Sequence, residues 1–460
     1  MRTKFISHRN RRERGQTMLL VAVSIVSLLA MAALAIDVVT LYVARTEIQG
    51  AADAAALAGA KAIADSGLTT LPSADGNFAA AQTLAQSMAQ SAIAAVLAAP
   101  NNQVAGVALA ATTTFNFTPN ANGAINNPRV TVALTRAGLP TFFAHIWGKT
   151  AVTVSTSATA EAYNPANMAN YTQINPKGVK PWLVANRDPT TAGPNYSKFV
   201  DPATGNVVDR NVLTNQDFWL TADCQPGAGG GFGFRPSRCA LINPPTPPGV
   251  VPPVPFNPNI PQPAVQYLPA GVPANLPNPN PNNVCPSCGS GSDYQSSIQC
   301  ADMNPYQCGG GAPNWIWDSV DRINPNGRGF TRRETTDGVQ CLIHQPPLGA
   351  GQDTINWANW PTNPMQISPS GGGANLLSTS SSIVSIPIID VDTAGAFNVP
   401  AGAVTIIGFL QAFVEQIDNN NNIEIKVMNV VGCSSTPNGS ATITGGNISS
   451  PIPIRLITPP

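Results

Sequence analysis

From Met18 to Ile36 the chain runs 19 residues without a charge, and Ser24 and Ser27 are the only polar side chains among them. As a helix rising 1.5 Å per residue this stretch spans about 28 Å, close to the roughly 30 Å hydrocarbon core of a bilayer. The two serine hydroxyls can bond back to carbonyls one turn earlier. Asp37 is expected at the far interface, where its charge stays hydrated. The apolar pattern does not stop there. Leu41, Ala44, Ile48, Ala51, Ala55, Ala58 and Ala62 recur at spacings of three and four, with Arg45, Glu47, Gln49 and Asp53 off that line. This is a helical stripe of small residues. It suits an intramolecular core face, the preferred reading, or close packing on a partner helix. Ser66-Gly67 ends the helix. A second alanine-rich helix is predicted over Phe78–Ala98, stopped by Pro100.

The period then changes. Val104–Phe117 is rich in β-branched and aromatic residues, and Arg129–Thr135 and Thr150–Ala158 alternate in period two. Between the last two, GLPTFFAHIWGK predicts a short helix that packs Phe142, Phe143, Ile146 and Trp147 on the sheet. One long helix on a small sheet is a pilin-like α+β layout. After Asn164 the chain is dominated by Pro, Gly, Asn, Ser and Thr, with 15 prolines in the 38 residues from Pro244 to Pro281. That stretch reads as an extended spacer or surface strap in preference to a docking site for a proline-binding module. From Ile383 strand patterns rich in Ile and Val return, with residues 451–457 expected to close a small β-domain. No internal repeat is visible. The expected organisation is a basic tail (1–14), a transmembrane helix (15–44), a pilin-like α+β domain (45–163), a Pro/Gly/Cys-rich irregular region (164–382) and a β-rich C-terminal domain (383–460). The fold class is α+β.

Charge adds direction to this outline. The net charge is zero and charged residues are only 10%, yet residues 1–14 hold six Lys/Arg against Glu13, a net of about +5. The positive-inside rule places this tip in the cytoplasm and exports the rest. No basic face of the kind nucleic-acid binding requires is present. Two other fates of the amino end stay open beside an uncleaved anchor. Ala33-Leu34-Ala35 is a possible signal-peptidase site, although the apolar run is long for a signal core. Arg14-Gly15 is a possible prepilin-type junction cut before Gln16, although the acidic residue such segments carry five positions later is Leu20 here.

The eight cysteines are Cys224, Cys239, Cys285, Cys288, Cys300, Cys308, Cys341 and Cys433. Their even number, the export topology and the loop-rich setting favour disulfides. Cys224–Cys239 is a plausible local pair, and the other connectivities stay open. Cys285-Pro-Ser-Cys288 would suit a redox dithiol, but no βαβ pattern surrounds it. With Cys300 and Cys308 it would suit a zinc site, but the spacings are not those of known zinc modules. His8, His145 and His344 form no constellation with Ser, Asp or Glu. The glycines of 227–234 lack the strand-to-helix setting of a phosphate cradle. Asp418–Glu424 alternates oxygen ligands, yet it lacks the central glycine of a calcium loop and reads as a hairpin turn. No catalytic residue, metal or cofactor is expected.

One segment carries a family signature. Arg14-Gly15-Gln16, Ile36-Asp37, Gln49, Ala51-Ala52-Asp53 and Ala54–Gly59 resemble the amino-terminal segment of TadE/TadG-like proteins of Flp (tight adherence) pilus assembly. In that family a D…Q-x-A-A-D-A-A-A-L-A-G pattern follows the membrane helix. Gly15, Asp37, Gln49, Asp53 and Gly59 are the motif positions. The segments LPTFFAHIWG, VKPWLVAN (179–186) and Ser450-Pro-Ile-Pro-Ile-Arg455-Leu-Ile are similar to long TadG-related proteins. The resemblance implies a non-enzymatic, single-pass protein of the bacterial inner membrane with a periplasmic body. Its partners would be the lipid bilayer and other pilus-assembly proteins or pilins, with no nucleic acid, small-molecule substrate or cofactor. Some members carry a von Willebrand A domain with a D-x-S-x-S metal site, and no such motif stands here. The alternatives are a processed minor pilin and an exported metal- or disulfide-containing enzyme.

Overall fold

A computed structural model of the chain describes residues 10–118 and 127–162 except 72, 74 and 105. Beyond these it describes 174–176, 178–190, 197–208, 217–221, 263–270, 288, 293–300, 306–309, 330–357, 360–370, 380–393, 397–398, 403–419, 421–433, 443–444 and 452–457. The elements used below are helices α1 (Asn10–Asp65), α2 (Phe78–Ala98), α3 (Asp293–Gln299) and α4 (Phe330–Leu342). The strands are β1 (Ala110–Asn116), β2 (Arg129–Pro140), β3 (Ala151–Ala162), β4 (Trp182–Ala185), β5 (Asp217–Thr221), β6 (Ala264–Pro269), β7 (Ile383–Ile389), β8 (Ile406–Ile417), β9 (Ile423–Gly432) and β10 (Ile454–Ile457). The protein is α+β, as its periodicities predict.

Helix α1 is continuous for 56 residues, a rod about 84 Å long at 1.5 Å per residue. Ser24 and Ser27 donate their hydroxyls to Leu20 O and Val23 O at 2.9 and 2.8 Å, which hides both dipoles within the helix. The rod ends where Gly67 takes the left-handed φ of 82°. Its buried face runs through Ala44, Ile48, Ala51, Ala52, Ala55, Ala56, Ala60 and Ile63. Ala58 and Ala62 are only half-buried, because a stripe of alternating three and four drifts off the face of a straight 3.6-residue helix. On the other side of the contact, β2 presents Val130, Val132 and Leu134 and β3 presents Ala158, Ala160 and Ala162. Helix α2 joins this core through Ala81, Leu84, Ala85, Ala89 and Ile93.

The sheet under α1 has the order β1–β2–β3–β10 and is antiparallel throughout. Its last strand overturns one expectation. Residues 451–457 do not close the C-terminal β-region; β10 pairs with β3, Arg455 standing opposite Glu161. The pairing is held by charge. Glu161 is 1% exposed and accepts from Arg129 Nε at 3.1 Å on one side and from Arg455 Nε and Nη2 at 2.7 and 2.6 Å on the other.

The second body is a closed six-stranded barrel of order β7–β8–β9–β5–β6–β4. The β4/β7 and β5/β6 pairs are parallel and the others antiparallel. Half of its strands come from the region expected to be irregular, so a boundary at residue 383 cuts through one closed sheet. Strand β6 lies inside the proline-dense stretch, with Pro263 and Pro269 at its ends and Val265, Tyr267 and Leu268 buried. A strand this short gives no periodic signal of its own, and only its long-range partners make it one.

Helices α3 and α4 pack on each other with Gly338 against Ile298, where an added Cβ would meet the isoleucine side chain at 3.1 Å. Buried Lys180 donates Nζ to Ile298 O and Cys300 O at 2.8 and 2.7 Å, a cation set on the carbonyl end of α3. Two described disulfides cross-link this part. Cys288–Cys341 ties the last turn of α4, and Cys308–Cys433 ties the end of β9 to a strand-like bridge between Gly309 and Ile406. Cys308 and Cys433 are separated by 125 residues, so the bridge removes chain entropy worth about 5 kcal/mol from the unfolded ensemble. The Cys308→Ser/Cys433→Ser variant is expected to unfold at a clearly lower denaturant concentration than the parent, read by tryptophan fluorescence. An unchanged midpoint would show that the bridge is energetically idle.

Candidate functional site

The first half of α1 exposes its large apolar side chains, from Met18 at 78% to Val43 at 48%. Two positions inside that run are buried, Ala33 at 8% exposed and one that carries a charge. Asp37 is 3% exposed. Its carboxylate accepts backbone N–H bonds from Phe142 at 2.9 Å, from Phe143 at 3.0 and 3.3 Å, and from Ala144 at 2.6 Å. These amides open the single helical turn Ala144–Trp147, whose first N–H groups have no partner within the turn. The carboxylate therefore satisfies donors that would otherwise need water, in charge-assisted bonds. This corrects the hydrated interface position expected for Asp37. It also corrects the role of the loop. Its backbone makes the contact with α1, and Phe142, expected on the sheet, is 64% exposed, while Phe143 is half-buried. The side chains of Ile146 and Trp147 lie outside the described set.

Further along α1, Gln49 donates Nε2 to Asp53 Oδ1 at 2.8 Å and to Ser157 O of β3 at 3.4 Å. Two motif residues thus pair along the helix and reach the sheet. At Gly59 the helix comes so close that an added Cβ would lie 2.9 Å from Ile93 Cδ1 and 3.2 Å from Val130 Cγ1. Glycine here sets the spacing of α1, α2 and β2 at once. Gly15 lies in α1 far from this contact. The motif is therefore strung along one seam between helix and body; it does not converge on a pocket.

The end of α1 is joined to the barrel by a buried polar cluster. Asn429 of β9 donates Nδ2 to Ala64 O at 2.6 Å and to Gln411 Oε1 of β8 at 2.9 Å, and its Oδ1 accepts from Thr70 Oγ1 at 2.9 Å. Thr70 Oγ1 also accepts from Val430 N at 3.1 Å, and Trp360 Nε1 donates to Ser66 O at 3.1 Å. Lys61 and Asp65 form an i, i+4 pair at 2.5 Å. Burial raises the Asp65 carboxyl above its ordinary value, with Lys61 and Gln411 opposing. None of these barrel residues stands out by motif. The available signal is a lone amide inside an apolar strand, Gln411 in IIGFLQAFV and Asn429 in KVMNVVG, since a buried amide needs partners.

The remaining candidates are dispersed. Cys288 and Cys308 belong to different disulfides, and Cys300 is disulfide-bonded as well. This sets aside both the zinc and the dithiol readings of that cluster. Cys224, Cys239 and Cys285, and so the Cys224–Cys239 pairing, lie outside the described residues, as do His8 and 227–234. Asp418 accepts from Asn422 N and Nδ2, both at 2.8 Å, within the turn joining β8 to β9. Its oxygens serve a hairpin. Among the described residues no group of three or more His, Cys, Asp or Glu is placed to hold a metal ion.

This architecture is an apolar amino-terminal helix built into an α+β body, with a seam of motif residues along the helix. The comparisons agree with that class. Residues 15–62 match the family model described as putative Flp pilus-assembly TadE/G-like. The chain thus carries a TadE/G-like segment, which supports a part in Flp pilus assembly. No curated protein and no solved structure matches the chain.

Two outcomes are expected. Asn429→Ala removes the buried hydrogen bonds to Ala64 O, Gln411 Oε1 and Thr70 Oγ1 together, and should cost about 1–3 kcal/mol in unfolding experiments; a smaller loss would mean water replaces the amide. The second concerns pH. Burial pushes the Glu415 carboxyl up to about 7, with Lys426 opposing and Asp217 and Glu424 reinforcing. A folded value above the unfolded one means that this contribution to stability is full at low pH and is lost as pH rises through about 7. Melting temperature should fall between about pH 5 and 7 more steeply in the parent than in Glu415→Gln, the two slopes converging above that range, and equal slopes between about pH 5 and 7 would refute the assignment.

Proposed function

We propose that this chain is a single-pass, membrane-anchored component of the Flp (Tad) pilus-assembly machinery in the bacterial inner membrane. Its amino-terminal tip is cytoplasmic, its body is periplasmic, and it acts by binding, not by catalysis. The observation that carries this reading is a coincidence of boundaries. The matched residues 15–62 cover both the exposed apolar half of α1 and the half that forms the core of the body. Such a segment is an anchor and a domain core in one piece. The basic tip supports the orientation through the positive-inside rule. The disulfides support an oxidising compartment. The seam residues hold backbone and side-chain partners of the same chain, which supports a structural task for the motif. The bilayer, other assembly proteins and pilins are its partners on this reading.

A second reading is favoured by the helix-on-sheet layout: a minor pilin that is cut and enters the fibre. Mass spectrometry of the mature protein separates the two. An intact amino terminus with loss of surface pili on deletion, restored by complementation, is expected. A mature terminus at Gln16 would replace the anchor by the pilin, and normal piliation in the deletion strain would overturn both. Reporter fusions at each end test orientation, with activity of a periplasm-dependent reporter expected only at the carboxyl end.

A further inference from the structure

We infer that the loop 141–149 is a membrane-seated wedge, lying beside α1 in the outward leaflet with Phe142 in contact with lipid. The inference rests on reading α1 as a membrane span and asks where the bilayer ends. With Asp37 closed off by backbone donors, exposed apolar side chains continue past it at Val38, Val39, Tyr42 and Val43. The first exposed charge beyond is Arg45. From Met18 to Val43 the 26 residues span about 39 Å, longer than the roughly 30 Å hydrocarbon core. The outward boundary therefore falls near Tyr42 and Arg45, an aromatic and a cation of the kind that sit at headgroup level. Asp37 is then about 9 Å deeper along the helix axis. The loop is fixed to Asp37 and shares its depth.

Its chemistry suits that depth. Irregular backbone in an apolar layer needs every polar group paired. The amides of Phe142, Phe143 and Ala144 are taken by Asp37. Thr141 N donates to Thr150 O at 3.3 Å, Gly148 N to His145 O at 2.9 Å and Lys149 N to Ala144 O at 3.1 Å. Thr40, on the same stretch of helix, donates its hydroxyl to Asp37 O at 2.8 Å. At the loop tip the Phe142 ring is 64% exposed, with His145 and Lys149 exposed beside it, an apolar ring flanked by amphipathic side chains that can reach headgroup level. The occupant is lipid at the headgroup–acyl boundary, since the bonds to Asp37 set the exposed Phe142 beside the exposed apolar side chains of α1.

The test uses the full chain in vesicles. Among the described residues no cysteine is free, so under non-reducing conditions, with label uptake by the parent chain subtracted as background, a nitroxide is attached at Phe142→Cys, at Val26→Cys inside the span, and at Ser91→Cys on the exposed side of α2. Collision with oxygen and with a water-soluble nickel chelate is then compared. The wedge predicts an oxygen-to-nickel ratio at position 142 severalfold above that at 91 and below that at 26. Val26 lipid-like with Phe142 water-like would overturn the wedge and leave the anchor standing. A Val26 label open to nickel would overturn the anchor and the wedge together. Protection of position 142 from both reagents, with spin–spin broadening in the fully labelled sample, would place a second copy there in place of lipid.

Discussion

Everything in this protein depends on one helix serving two surroundings without a break. Its backbone hydrogen bonds are internal, so the backbone is indifferent to what lies outside. Only the side chains register the change. Up to Ile36 they are mostly apolar and exposed; from Ala44 on one face, built mainly of small residues, is buried against a sheet and a second helix. Asp37 stands at the handover. A buried carboxylate is costly unless its charge is met by fixed donors, and three consecutive amides meet it. The same bonds hold the β2–β3 loop against the helix.

The far end of the helix is fixed by different means. There the contact is a cluster of neutral amides and hydroxyls around Asn429, Gln411 and Thr70, buried where unpaired polar groups are expensive. Apolar surfaces tolerate sliding, but a cluster with directional bonds accepts one register. Helix, sheet and barrel therefore form a connected body in which a displacement of α1 is felt at β8 and β9.

Much of this was legible in the residues. The long helix, the limits of the second helix and the period-two strands follow from local pattern, and the hairpin at 418–422 follows from turn chemistry. The barrel did not show. Strands such as WLVA and AVQYLP are too short to have a period, and their partners lie far along the chain, as Val184 does from Ile388 and from Tyr267, and Ala264 from Trp219. The proline-dense stretch masked β6, because composition speaks for the average of a window and not for six residues within it. Asp37 looked like a charge seeking water because sequence shows the acid but not the donors folded back on it. Four of the five motif positions turned out to be seam residues, a role that periodicity alone could not separate from an ordinary core face.

The fourth strand of the first sheet has a consequence for the order of events. Glu161 and Arg455 stand opposite each other across 294 positions of chain. If the chain crosses the membrane from its anchored end, β3 emerges early and waits with an open edge while the barrel is still being delivered. Such an edge offers unpaired amides and carbonyls to any passing strand. The domain nearest the membrane is thus the first to leave the cytoplasm and the last to be completed, and for the interval between it is a vacancy that another polypeptide can fill.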